Sequence, residues 1–584
     1  MMRQEPILSN QNQDHVGAST RPESPTSSHR RKFLANVGGA TVATMAMGIQ
    51  PMFGSQFSND SGGTGGRLGQ ATKIRTDAAL RDEALGIPDH PNNGDEARYQ
   101  NKIGNYSKGL KHNSIGEVNH DAYNALMDAI ASGRFEDFES LANNGYLGCS
   151  DSTQQRRLVS PLAGFAFDLE CKDGIQFKMR PAPAFSSAEE AGEMVELYWM
   201  ALLRDVNFLD YPNHPLAVAA ANDLSRLSDF RGPKVNGRVT PRTLFRDIFP
   251  GCTVGPYVSQ FLLKSAPFGA QEVDQRIHTA LPGIDFMTDF QSWLDIQNGC
   301  QPSQTTPLDG LYFCRNGRDL GQYVHVDALY QAYLVAALVL FSLGMPWDSG
   351  NPYGKTPEPG SGRPLPPGVP GAHAQVGFAT FGVPHLLALL AEVSTRALKA
   401  VWYQKWLVHR RLRPEEFAGR VEVERRRQAN YPIHRDLFNS SALTALFGKT
   451  SNFLLPLAFP EGSPLHTAYG SGHSTVAGAC VTILKAWFDE TAVIPDPVVP
   501  SNDGTDLVPY QGPPLTVGGE LNKIASNIAQ GRNIAGVHWR SDATEAIKLG
   551  EEVALSVLRN QEPTYRESFH GFRLTGFDGT TLTT

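Results

Sequence analysis

Hydrophobic positions along most of the chain recur every third or fourth residue, with good helix formers on the opposite faces. From about residue 115 to 560 this spacing predicts helices at 122–131, 188–203, 256–263, 328–343, 383–412, 474–487, 521–535 and 543–559. Two-residue alternation is scarce, and 174–179 is the one expected hairpin arm. The apolar run 328–345 is long enough to reach across a bilayer, but Gln331, Ser342 and two tyrosines within it favour a buried helix. Residues 347–371 are dense in Pro and Gly and read as a long surface loop. No internal repeat is visible, and no linker divides 76–584. The expectation is all-α: one large helical-bundle domain with long loops.

The first 75 residues read differently. A polar arm leads to Arg30-Arg31-Lys32-Phe33-Leu34 and then to a weakly apolar stretch of small residues broken by Asn36, Gly38 and Gly39. Paired arginines before such a stretch resemble a twin-arginine export signal, which carries folded proteins to the periplasm or outside the cell. Residues 50–75, rich in Gly and Ser, read as a flexible linker.

Composition narrows the function classes. Of 584 residues 41% are hydrophobic, enough for a large core and too many for a disordered chain. Lys and Arg number 52 against 59 Asp and Glu, a formal charge of −7, so a general nucleic-acid surface is not expected. Six cysteines without a CxxC pair support neither a zinc ribbon nor a disulfide scaffold. Cys149, Cys171, Cys252, Cys300, Cys314 and Cys480 show no readable pairing. Folding before export argues for mostly reduced, buried thiols, with disulfides between subunits left open.

Four places carry candidate chemistry. Lys405 and Arg413 lie near the end of the expected 383–412 helix, which Pro414 would help to stop. Eight residues apart, they would point to one side about 12 Å apart along the axis, within convergence of two long side chains. Ser471-Gly472-His473 opens the next strongly helical run. There free backbone N–H groups favour an oxyanion, Gly472 permits close approach, the Ser471 hydroxyl can donate and His473 can exchange protons. Arg532 and His538 flank Gly536, whose break lets both face one pocket, and Asp542 with Glu545 resembles a capping box for the following helix. His466, seven residues before His473, is close enough along the chain to reach the same place, or is a loop histidine without a task. Singly, each segment also fits a bland structural role: a basic helix end, a serine cap, a core histidine. Together they describe a pocket for a multiply charged tetrahedral oxyanion, in which three cations nearly neutralise a trianion.

These segments (405–414, 464–473 and 532–538) resemble the vanadium-dependent haloperoxidases and are similar to the related helical acid phosphatases. The resemblance extends to 158–168, 196–205 and 377–382 and covers about residues 76–584. It leans to the bromoperoxidases. Seven residues separate Lys405 from Arg413, where the phosphatases have six, and His466 stands where chloroperoxidases tend to have Phe.

The resemblance implies vanadate bound by Lys405, Arg413 and Arg532, with hydrogen bonds from Ser471 and the Gly472 amide and with His538 as the metal ligand. It makes His473 the acid–base residue, Lys405 the group that polarises peroxide, and His466 a group that tunes halide handling or the peroxide step. Hydrogen peroxide, halide (bromide foremost) and small organic acceptors would be the reactants. A homo-oligomer between dimer and dodecamer is implied, with the N-terminal half supplying contacts unless helices such as 188–203 are core. Two departures stand out: Gly470 replaces the usual Pro before Ser-Gly-His, and Trp402 follows a brown-algal rather than a red-algal pattern near the halide pocket. The loop 349–375 has no Asp and one Glu, so no calcium site is expected there. An acid phosphatase with His538 as nucleophile and His473 as general acid is the alternative enzyme. A non-catalytic exported oxyanion-binding protein is the third reading.

Overall fold

A computed structural model describes residues 66–354 and 372–584. The export arm up to residue 65, and the 355–371 part of the Pro- and Gly-rich loop, lie outside the described residues. The helices that build the interior are α1 (Ala188–Leu203), α2 (Gly317–Tyr323), α3 (Gln331–Ser342), α4 (Val383–Tyr403), α5 (Pro414–Arg425), α6 (Gly472–Trp487), α7 (Val517–Ile534) and α8 (Arg540–Gln561). Residues 71–584 form one compact unit. Helical architecture dominates, and the strands among the described residues form only four two-stranded antiparallel sheets.

Helix α6 is the axis of the bundle, packed against α8, α4 and α7. Every one of its residues except His473 is buried. Its Thr, Val and Gly content is poor for an isolated helix. Burying Val481, Ile483 and Leu484 contributes roughly 1.5–3 kcal/mol each, so packing rather than propensity holds it. Glycines set how near α8 comes. A Cβ at Gly478 would meet the Ile547 carbonyl oxygen at 2.0 Å, and one at Gly550 would meet the Thr475 carbonyl oxygen at 2.0 Å.

Helix α1 is core, which resolves that choice. Its Glu190, Glu193 and Glu196, three residues apart, are buried and face arginines. The apolar 328–345 run is the buried helix α3, twelve residues long, and no described helix is long and apolar enough to cross a membrane.

Several local expectations are corrected. The 383–412 helix ends at Tyr403, passes into a π-helical segment Gln404–His409, and breaks at Arg410, which is left-handed at φ 42°. Pro414 therefore starts α5 at its first position, where a missing N–H costs nothing, rather than stopping the helix before it. The 256–263 helix is only a 3-10 turn, Gln260–Leu262, because Ser259 caps it and Leu263 leaves helical geometry. The hairpin arm at 174–179 is a 3-10 turn, Gly174–Gln176, held by the Asp173 and Gln176 side chains. Cys149 and Cys300, 151 residues apart, form a disulfide, so those two thiols are not reduced. Cys252, Cys314 and Cys480 are free and buried, and Cys171 is free and partly buried.

Candidate active site

The π-helical segment gives the site its shape. An extra residue in the turn and the left-handed Arg410 remove the straight-helix geometry that a 100° rotation per residue assumes. Lys405 is thus on the π segment and Arg413 is the residue before α5, and both are fully buried. Lys405 Nζ donates to the Thr467 and Ala468 carbonyls at 2.8 and 2.9 Å. Arg413 donates from Nε to the His466 carbonyl at 2.9 Å and from Nη1 to the Val537 carbonyl at 2.7 Å. Its Nη1 also lies 3.0 Å from His538 Nε2, and its Nη2 lies 2.9 Å from His466 Nδ1. Arg532, in the last turn of α7 and 6% exposed, donates to the Val324 carbonyl at 2.7 Å, while its Nε has no partner. Among the described residues none of these three cations pairs with a carboxylate. Other buried cations such as Lys108 and Arg411 do pair with one.

Burial, reinforced by Arg413 and Arg532, pushes the Lys405 ammonium well below its ordinary range. The Arg532 guanidinium is drawn down to about 10 by burial. Burial and mutual repulsion thus act together on cations that no carboxylate neutralises.

Ser471 caps α6, its hydroxyl oxygen accepting from the Ser474 amide at 3.3 Å while its proton stays free to donate elsewhere. The cap role leaves the hydroxyl donor available. Nothing among the described residues accepts from the Gly472 or His473 amides, the first N–H groups of the helix. A Cβ on Gly472 would lie 3.1 Å from the Trp402 ring, so glycine is what lets that indole close over the helix start. Trp402 in turn lies 4.9 Å from the His466 ring and 5.6 Å from Lys405 Nζ, forming one wall. His466 is therefore part of the cluster.

His538 lies in the turn between α7 and α8, after Gly536 at φ 89°. Its Nδ1 is 2.9 Å from the Asp542 carboxylate, which can only accept. Arg413 Nη1, which can only donate, stands nearer Nε2, at 3.0 Å, than Nδ1, at 3.4 Å. Two independent partners thus place the proton on Nδ1 and the lone pair on Nε2. Burial and three neighbouring cations hold the imidazole well below its ordinary pKa, so it is neutral and able to act as a ligand. His473 Nε2 sits 3.1 Å from Asp327, and at 19% exposure His473 is the most open member of the cluster. Burial lowers its pKa, with Asp327 opposing.

The eight residues expected from the sequence therefore converge: Lys405, Arg413, His466, Ser471, Gly472, His473, Arg532 and His538. Three further residues were missed. Asp542 is not a helix cap opposite Glu545. The helix starts at Arg540, and the Asp542 carboxylate accepts from the Trp539 amide at 3.1 Å, from His538 and from Arg411 Nη1 at 2.8 Å. Its spacing, four residues after His538, was the available signal. Arg411 lies within the basic segment but is committed elsewhere, to Glu190, Glu193 (2.9 Å) and Asp542. Asp327 comes from a segment 146 residues before His473, and no local pattern marks it.

Neutral imidazole, three buried cations without a carboxylate partner and unpartnered helix-start amides on an all-α scaffold form a donor set of the oxyanion-binding class. Comparison with known proteins gives that class its family. A family model described as the VCPO second helical-bundle domain matches residues 385–566. The chain is 36% identical over 575 residues to a vanadium-dependent bromoperoxidase of Corallina pilulifera, covering 84% of this chain and 94% of that protein. Against a vanadium-dependent bromoperoxidase of Ascophyllum nodosum it is 34% identical, covering 86% and 90%. The homohexameric second vanadate-dependent bromoperoxidase of Ascophyllum nodosum superposes with a TM-score of 0.82 at 29% identity, over 92% of this chain and 95% of that one. The chain belongs to the vanadium-dependent bromoperoxidase family.

Proposed function

We propose that this protein is a vanadate-dependent haloperoxidase that uses hydrogen peroxide to oxidise halide, bromide foremost, to hypohalous acid, which then halogenates organic acceptors. The observation that carries the reading is the convergence of Lys405, Arg413 and Arg532, buried without a carboxylate partner, on a neutral His538 whose unprotonated Nε2 faces Arg413 and not a carboxylate. That donor set fits vanadate: three cations and two amides for its oxygens, one imidazole nitrogen for the metal. Lys405, Arg413 and Arg532 would hold the oxygens, the Ser471 hydroxyl and Gly472 amide would donate to them, and His538 would be the ligand. When bound, vanadium(V) supplies the Lewis acidity that makes peroxide electrophilic.

The chain's own part is to hold charge and move protons. Forming hypobromous acid and water from peroxide and bromide consumes one proton. His473, paired with Asp327 and open to solvent, is the group in place to pass it on. Lys405 would polarise the peroxide. His466, against Trp402, tunes the halide or peroxide step.

We propose further that the protein is exported by its twin-arginine segment to the periplasm or beyond. The Cys149–Cys300 disulfide supports this, since reducing compartments keep such thiols apart. A homo-oligomer is the proposed state, supported by the homohexamer of the similar structure.

The test is bromination of monochlorodimedone by purified protein with peroxide and bromide, before and after adding orthovanadate, with phosphatase activity followed in parallel. Vanadate-dependent bromination, blocked by excess phosphate and lost in His538→Ala, is the expected result. Phosphatase activity inhibited by vanadate, without bromination, would overturn the reading in favour of an acid phosphatase.

A further inference from the structure

Of the three cations Arg532 is the least tied down. Arg413 donates to two carbonyls and meets two imidazoles, and Lys405 donates to two carbonyls. Arg532 has one hydrogen bond, to the Val324 carbonyl, and its guanidinium lies 5.4 Å from the centre of the Phe459 ring. Whatever holds Val324 and Phe459 therefore holds Arg532.

Both are held by one pair of side chains. The His325 ring stacks on Phe459 at 3.8 Å with an interplanar angle of 8°, and His325 Nε2 lies 2.7 Å from the Glu461 carboxylate. Glu461 is itself anchored, its carbonyl accepting from Lys108 Nζ at 3.1 Å and from Arg156 Nη1 at 2.8 Å. Two residues beyond His325, Asp327 meets His473. The segment Val324–Asp327 thus touches Arg532, Phe459, Glu461 and His473. Through the His325–Glu461 pair it is fastened to the loop that carries His466, Ser471 and the acceptors of Lys405. The pair sits at the rim, 20% and 28% exposed, outside the buried cluster.

We propose that His325 and Glu461 are positioning residues that set Arg532, and so the affinity of the oxyanion site, by clamping Val324–Asp327 onto Phe459 and the 459–471 loop. This rests on the haloperoxidase reading. Neither residue touches the cluster's centre; each acts through the ring and the carbonyl that seat Arg532.

The test is calorimetric titration of vanadate-free protein with orthovanadate, alongside kcat at saturating vanadate and thermal melting, for the wild type, Glu461→Ala, Glu461→Gln and His325→Asn. Glu461→Ala is expected to raise the orthovanadate Kd about tenfold, the usual scale for losing a partner behind a metal-site group. Saturating vanadate is expected to restore most of kcat. Glu461→Gln, whose side-chain oxygen can still accept from the imidazole, is expected to return Kd to within about twofold of wild type. His325→Asn, which removes the stack at a partly exposed position, reads the same clamp should Glu461→Ala not fold. An unchanged Kd in Glu461→Ala and His325→Asn, or a weakening that Glu461→Gln does not rescue, overturns the proposal. Wild-type protein that neither binds orthovanadate nor brominates overturns the haloperoxidase reading instead.

Discussion

Asp542→Asn is the substitution that separates ligand chemistry from packing most cleanly. The carboxylate is fully buried and accepts from His538 Nδ1, the Trp539 amide and Arg411 Nη1. Asparagine keeps the shape but offers one oxygen and one NH2. Turning the NH2 toward His538 and Trp539 would set it against two donors, so the oxygen stays there and the NH2 faces one donor, Arg411 Nη1, whose bond is lost. Arg411 loses one carboxylate but retains Glu190 and Glu193, which limits the structural damage.

His538 then keeps its proton on Nδ1, but the bond is no longer charge-assisted. A hydrogen bond to a charged group contributes about 1.5–3 kcal/mol and a neutral one about 0.5–1.5, a difference of roughly 1–2 kcal/mol. Every 1.4 kcal/mol is tenfold, so orthovanadate should bind roughly 5–30 times more weakly. The assay is calorimetric titration of vanadate-free protein at neutral pH, with bromination measured at saturating vanadate and folding checked by near-UV circular dichroism. A folded Asp542→Asn protein whose Kd stays within twofold of wild type would refute the argument that the Asp542 charge sets the basicity of His538.

Ser471→Ala should remove both the α6 cap and one donor, lowering stability by about 0.5–2 kcal/mol in urea unfolding. It should also weaken orthovanadate binding; loss of stability with unchanged binding would assign Ser471 to capping alone. Acid stability should depend on Asp285. Against the burial that raises it, Arg204, Arg318 and Lys449 hold its carboxyl down at about 2. A depressed folded pKa gives stability that is complete above the unfolded value near 3.8 and lost as pH falls toward 2. That contribution is roughly 2 kcal/mol, so Asp285→Asn should flatten the loss between those pH values in urea titrations; an unaltered slope would count against it. Reducing the Cys149–Cys300 disulfide, or Cys149→Ser, should cost about 2–5 kcal/mol because it frees a loop spanning 151 residues. Thermal melts with and without reductant check this, and coincident melts would show that the bridge adds nothing.

The helices that pack most deeply were legible because burial imposes a period. Helix α6 is apolar on nearly every face, and its start is written in Ser471-Gly472, a cap followed by a residue without a Cβ. The 256–263 segment was misread because its apolar residues pack from a 3-10 turn, and spacing over eight residues cannot separate the two. Charge was the weaker guide. Arg411 and Arg413, two residues apart, look alike in the sequence. One is neutralised by Glu190, Glu193 and Asp542 and the other is left for the site, because α1 delivers its carboxylates to only one of them.

The sequence by itself determined a helical protein and named the eight residues that meet in one cluster. Residue type and local spacing are enough to mark cations, a helix start and an imidazole in a turn. Only the tertiary structure decided how they meet. The π-helical turn and the left-handed Arg410, rather than one straight helix, place Lys405 and Arg413. Asp542 chooses the His538 tautomer, and Asp327 reaches His473 from far along the chain. Such pairings are set by which surfaces are buried together, and no local pattern encodes that.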